Sequence, residues 1–222
     1  MEAFRQQFLN VDIMMQAWPI ILQGLQMTLL LCLAVIPLGL IGGLVVAVAS
    51  LSPSRTVRWT VRGFNDLFRA LPPLVVLILL YSGLPFAGVR LSPFAAVCLA
   101  FLLNNSSFYG EIYRAGIESI GRGQWEAARS TGLNARQTFT SVILPQALRN
   151  VLPDLVSNTV EVVKLTSLAS VVSFTELLYA ADMARSVTFN TSPIVLAALI
   201  YLVILWPVVR LMSRLEHRVA GG

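Results

Sequence analysis

Hydrophobic runs long enough to cross a bilayer alternate along the chain with short polar, arginine-bearing segments. At about 20 apolar residues per crossing, the pattern predicts five spans. The first runs from about Ile20 to Ser50 and contains Pro37, which removes a backbone donor and is expected to bend the helix. Gly39 and Gly43 within it are spaced for close helix contact. The second span is less regular. Its most apolar part, Leu71 to Leu80, is too short alone and needs Trp59 to Ala70 ahead of it. Arg62, Asp66 and Arg69 recur there at i, i+4 and i+7, so they share a helical face and can pair. This stretch reads as an interfacial turn or two leading through Pro72-Pro73 into the membrane. The third span runs from about Pro93 to Ile117, the fourth from about Leu152 to Val172, and the fifth from about Pro193 to Met212. No internal repeat or low-complexity segment accompanies them.

Composition agrees with this fold class, an all-α membrane protein of about five transmembrane helices. The chain is 56% hydrophobic and only 12% charged, whereas a soluble domain carries roughly 25% charged residues. Its mean hydropathy is +0.75. The net charge of +5 comes almost wholly from arginine, Lys164 being the only lysine. A basic balance can signal nucleic acid, but these arginines flank apolar runs, as cytoplasmic loops do. Cys32 and Cys98 sit inside apolar runs and read as small hydrophobes rather than a disulfide or metal pair. The N-terminus carries Glu2 and Asp12 and lacks a basic segment, so no cleaved signal peptide is read there.

Charge also sets the expected orientation. Arg55, Arg58 and Arg62 lie between spans one and two; Arg114, Arg122, Arg129, Arg136 and Arg149 lie between spans three and four; Arg210, Arg214 and Arg218 follow span five. The opposite side has Arg5, Arg90 and Arg185. The N-terminus is therefore expected outside and the C-terminus in the cytoplasm.

Between spans three and four, residues 118–150 are too polar for lipid. Gly121-Arg122-Gly123 reads as a turn and Trp125 to Thr131 as a short helix with Glu126 in its first turn, where a carboxylate suits the helix dipole. Gly132 falls where a helix ends at positive φ. Asn134 can cap a second helix, Ala135 to Leu144, which Pro145 interrupts. Such a helical hairpin on a membrane face is a docking knob, with Ala127 and Ala128 giving it a smooth apolar side; an ordinary hairpin without a partner is the plainer alternative.

The run Glu126-Ala127-Ala128, then Gly132, then Leu144-Pro145 resembles the signature loop of bacterial binding-protein-dependent ABC importer permeases. Val142 departs conservatively from the isoleucine usual there. Gly24-Leu25-Gln26-Met27-Thr28-Leu29, Arg69-Ala70-Leu71-Pro72, Glu111-Ile112-Tyr113-Arg114-Ala115-Gly116-Ile117, Ile143-Leu144-Pro145-Gln146-Ala147-Leu148 and Lys164-Leu165-Thr166-Ser167-Leu168 resemble the polar amino acid uptake branch. The resemblance implies one permease domain over 1–222: a periplasmic segment 1–19, a helical bundle 20–212, an ATPase-docking loop 118–150 and a cytoplasmic tail 213–222, in the bacterial inner membrane. It implies a second permease subunit, a copy or a paralogue. It further implies an ABC ATPase dimer docked on the Glu126–Gly132 helix and a periplasmic solute-binding protein. ATP and Mg would be bound by the ATPase, with no cofactor in this chain and no nucleic acid partner.

The residues support a missing motor independently. A phosphate-binding Gly-Lys-Ser/Thr loop needs a lysine, and Lys164 follows Val163 in an apolar span. His217 is the only histidine and lies in the basic tail, so neither a metal cluster nor a serine triad is expected.

Polar residues inside spans usually face a bundle interior or a watery cavity. Asn104, Asn105, Ser106 and Ser107 lie in span three. In span four Asp154, Asn158 and Glu161 fall within about 60° of one another, and Lys164 can pair with Glu161 at i+3. The candidate substrate path is Asn104, Asn105, Ser107, Asn158, Glu161, Lys164 and Leu165; a polar network that only packs helices is the competing reading. By the resemblance, basic amino acid members hold acids where this chain has Asn158 and Leu165, while Asn104 matches the family's asparagine. Either the substrate is not cationic, or this is the non-binding half of a heterodimer. Two other classes stay open on residues alone: an ion-coupled secondary transporter, which the absence of a repeat disfavours, and a membrane scaffold recruiting a soluble partner.

Overall fold

The computed structural model describes residues 1–220, with side chains described through Leu211. The side chains of Arg214, His217 and Arg218 therefore lie outside the described residues. Every regular element among them is helical: α1 (Glu2–Phe8), α2 (Val11–Ser50), α3 (Arg55–Ala70), α4 (Pro73–Ile78), α5 (Pro93–Glu118), α6 (Arg122–Ser130), α7 (Ala135–Thr138), α8 (Leu144–Leu165), α9 (Leu177–Thr188) and α10 (Ser192–Ala220).

Three helical stretches are long and apolar enough to cross a membrane: Glu2–Ser50, Ala135–Val172 and Ser192–Leu211. A fourth is added if the helices on either side of Leu71-Pro72 form one broken span. The 26 residues of α5 have the length, but Asn104 to Ser107 interrupt its apolar run.

The first helix starts nearer the N-terminus than the hydrophobic run suggests. Asn10 Oδ1 accepts from the amides of Asp12 (3.1 Å) and Ile13 (3.3 Å), satisfying donors that a helix start leaves free. Helix α2 then runs for 40 residues with Pro19 and Pro37 inside it.

The expected interfacial turn or two before Pro72 is instead a 16-residue helix, α3. Arg58, Val61, Asn65 and Phe68 form its inward stripe, spaced for one helix face. Leu71 ends it with extended backbone (φ −83°, ψ 130°), as a residue before proline prefers. The expected pairing within Arg62, Asp66 and Arg69 is not formed: among the described residues no ion pair joins Asp66 to either arginine. Arg62 lies over the Trp59 ring at 5.6 Å and Arg69 over Phe108 at 5.6 Å.

Two compact units emerge. One is built from Met1–Pro37, Pro73–Ala100 and Val160–Leu211, the other mainly from Leu38–Pro72 and Phe101–Thr159. The first has a core of Ala17, Ile21, Leu177, Ala181, Ala184 and Ala197. Its N-terminal residues are strapped to the start of α10: Thr191 N donates to Gln7 O (3.0 Å) and Asn10 N to Ser192 Oγ (2.9 Å). In the second unit α2 and α5 meet through glycines. A Cβ on Gly43 would lie 2.9 Å from Gly110 N and closer still to Tyr109 Cβ, and one on Gly42 would overlap Ser106 Oγ. Small residues at this seam let the two backbones approach, as in membrane helix pairs generally.

Candidate functional site

The hairpin between α5 and α8 belongs to the second unit. Helix α6 begins at Arg122, behind Gly121 at the N-cap, and not at Trp125. Glu126 consequently sits in the second turn, and the first turn contains no acid. Ala127 is exposed, but Ala128 is buried, with 7% of its surface accessible. The apolar side that Ala127 and Ala128 were expected to present together is thus Ala127 alone; Ala128 faces inward.

Gly132 has φ +87°, and nothing lies within 4 Å of a Cβ placed on it. Backbone conformation, not space, therefore selects glycine here. Its amide donates to Arg129 O at 3.1 Å. Asn134 then restarts the helix through a capping box. Gln137 N donates to Asn134 Oδ1 (2.9 Å) and Asn134 N to Gln137 Oε1 (3.0 Å).

The helix expected to stop at Pro145 does not stop. Phe139–Ile143 form a wide turn in which Leu144 N donates to Phe139 O, five residues back. That widening lets the chain pass a proline that has no donor, and α7 continues into α8 as one stretch. Leu144 is half-buried and Pro145 exposed. Beneath the hairpin, Ile117, Ile143 and Ala147 pack with Trp125, Phe139 and Val142. Asn150 Nδ2 closes the base by donating to Ser119 Oγ at 2.9 Å.

The candidate path residues fall into two sets. Asn104, Asn105, Ser107 and Asn158 belong to the second unit; Glu161, Lys164 and Leu165 belong to the first. Asn104 is 1% exposed, and its Nδ2 donates to Phe68 O at 2.8 Å, holding the end of α3. Ser107 is fully buried and donates to Asn104 O at 2.6 Å. These two are occupied in packing. The Nδ2 atoms of Asn105 and Asn158 and the Oγ of Ser106 are buried without a partner among the described residues. Tyr109 and Thr159 share a hydrogen bond of 2.8 Å beside Asn158. In the first unit Lys164 Nζ pairs with Glu161 Oε1 at 2.5 Å as the i+3 spacing predicts; both side chains are more than half exposed. Leu165 is half-buried at the end of α8.

Two further groups escape the sequence reading. Glu111 joins α3 to α5: it accepts from Asn65 Nδ2 at 2.7 Å and from Arg114 Nη2 at 2.6 Å, with Arg69 4.0 Å away. Arg114 also grips Glu118 with both contacts at 2.7 Å. The i+3 and i+4 spacing of these acids around Arg114 was visible; the contribution of Asn65, 46 positions away, was not. Glu176 is fully buried and caps α9, accepting from Leu178 N (2.8 Å) and Tyr179 N (2.7 Å) and from Tyr201 Oη (3.2 Å). An acid before the apolar run Leu177-Leu178 was its only signal.

Residues 36–221 match the family described as the binding-protein-dependent transport system inner membrane component. This chain belongs to that family. It is 34% identical over 211 residues to the probable glutamine ABC transporter permease protein GlnM of Bacillus subtilis (strain 168), covering 95% of this chain and 98% of that protein. It is 34% identical over 193 residues to the probable amino-acid ABC transporter permease protein YckA of the same organism, covering 86% of this chain and 85% of that one. Its fold resembles the crystal structure of an amino acid ABC transporter with histidines, with a TM-score of 0.84 and 34% identity over 92% of this chain and 96% of the other. The all-α membrane fold and the membership in the amino-acid permease branch agree with the sequence resemblance.

Proposed function

We propose that this chain is the membrane-spanning subunit that moves a polar amino acid or similar small zwitterion into the cytoplasm, driven by ATP hydrolysis in a separate subunit. The observation that carries the reading is the braced hairpin. Helix α6 exposes Glu126, Ala127 and Arg129 above the Ile117, Ile143 and Ala147 base, ends at Gly132 and restarts at the Asn134 capping box. A short helix held from below transmits a push into the helices that follow it, and α8 follows without a break.

In this reading an ABC ATPase dimer, with its ATP and Mg, docks on α6. A second permease subunit, a copy or a paralogue, completes the membrane path, with α5 as the third of five spans. A solute-binding protein delivers substrate from outside, where the N-terminus lies; the arginine-rich loops and C-terminus face the cytoplasm. The path uses the side of α8 that carries Asn158, Glu161 and Lys164. Glu161 is already neutralised by Lys164, and Asn158 and Leu165 supply no carboxylate, so this subunit alone does not hold a cationic amino acid tightly.

Cross-linking tests the docking surface. A cysteine at exposed Ala127 should capture the ATPase subunit in the assembled complex, whereas one at buried Ala128 should capture it far less. Equal failure at both positions, in a complex that hydrolyses ATP, would remove the hairpin from the interface.

A further inference from the structure

The corner between α9 and α10 has a costly backbone. Helix α9 ends at Phe189 with φ 50° and ψ 33°, the left-handed region, where a bulky side chain is an outlier. Glycine or asparagine tolerates that conformation, yet an aromatic residue occupies it. Packing within the chain does not offset the cost, because Phe189 is 87% exposed and its neighbour Val187 is 78% exposed. Strained backbone that the chain's own packing does not explain points to function.

The corner is held from the N-terminus. Gln7 Nε2 donates to Phe189 O at 3.4 Å, Asn190 Nδ2 to Gln6 O at 2.9 Å, and Thr191 N to Gln7 O at 3.0 Å. These bonds put the N-terminal segment and the α9–α10 corner on one side of the membrane. That side has few arginines and is therefore the outer side. Beside Phe189 lies a shallow cavity of about 370 Å3 lined by Gln7, Arg185, Ser186, Asn190 and Thr191. Arg185 is exposed there and paired with Asp182 at 2.6 Å.

We propose that this corner is an anchor for the solute-binding protein. Phe189 and Val187 enter an apolar recess on that protein, and the polar groove beside them meets its rim. The proposal rests on the permease reading above. A buried aromatic anchor with a polar surround is the usual composition of an interface hot spot. An aromatic serving the membrane boundary is more often tryptophan or tyrosine, which carry a polar end for the water side; Phe189 has none.

The test uses the full transporter in nanodiscs with its ATPase and the solute-binding protein encoded by the neighbouring genes. Two quantities are read: the thermal midpoint, and the binding-protein concentration giving half-maximal ATPase stimulation. Phe189→Asn should raise the midpoint by about 1–2 °C, because asparagine accepts the left-handed conformation. It should also raise the half-maximal concentration about tenfold or more, while Phe189→Leu raises it less. If Phe189→Asn does not assemble, Val187→Asn should raise the same concentration. An unchanged concentration for the assembled variant overturns the proposal. So does loss of the variant from the membrane fraction with unaltered stimulation, which marks the ring as a lipid anchor. A wild-type transporter that no binding protein stimulates overturns the permease reading as well, and is thereby distinguishable.

Discussion

Asn65 donates to Glu111 across 2.7 Å, tying α3 to α5 at the point where Glu111 also takes Arg114. The bond sets the base from which the hairpin projects, since Glu118, the last residue of α5, is gripped by the same Arg114. A carboxylate only 23% exposed keeps its charge economically when surrounded by three donors.

Glu111→Ala should destabilise the protein by about 2–3 kcal/mol, because it strips charge-assisted bonds from Asn65 and Arg114 together. Asn65→Ala should cost about 1.5 kcal/mol. Thermal unfolding in detergent, followed by a fluorescent thiol or tryptophan probe, checks the order; equal effects of both would mean Arg114 takes little from Glu111.

The α2–α5 seam gives a coupled prediction. Gly42→Ala should destabilise by about 1–3 kcal/mol through overpacking against Ser106 Oγ and Leu102 Cδ1, the latter 3.1 Å from the added carbon. Removing the hydroxyl with Ser106→Ala should recover part of that loss. A double-mutant cycle on folded yield measures it, and strict additivity would show that the two side chains do not meet.

Gly132 discriminates conformation from space. Gly132→Asn should be nearly silent, whereas Gly132→Val should cost about 1–2 kcal/mol locally, because φ is +87° and an added carbon finds no neighbour within 4 Å. On the proposed function, Gly132→Val should lower solute transported per ATP hydrolysed. Undiminished coupling in that variant would count against α6 as the transmitting element.

What could be read in the chain was local. The Gly132 turn, the Asn134 cap and the Glu161–Lys164 pair all depend on residues within four positions of one another, and each formed. Gly39 and Gly43 announced a close contact, though not its partner. Long-range bonds carried no such signal: Asn104 to Phe68, Asn65 to Glu111, and the Gln6 and Gln7 carbonyls that receive Asn190 and Thr191. Two local expectations failed for local reasons. Pro145 was absorbed by the wide Phe139–Ile143 turn, and the earlier start of α6 turned Ala128 inward. Periodicity also missed α3, since its inward stripe includes Arg58 and Asn65, polar residues that satisfy themselves in this fold.

The substrate reading has its own check. Isothermal titration of the purified chain with arginine or lysine should give no saturable heat, given Asn158 and Leu165 in place of acids. A saturable signal that disappears in Asn104→Ala would show that this subunit does hold a cation.

The most direct measurement is uptake into vesicles. Vesicles containing this chain with its permease partner, its ATPase and internal ATP should accumulate labelled amino acid when the solute-binding protein is added outside. Vesicles containing this chain without the ATPase should accumulate none, with or without an ion gradient. Accumulation by the chain in the absence of that ATPase would contradict the account.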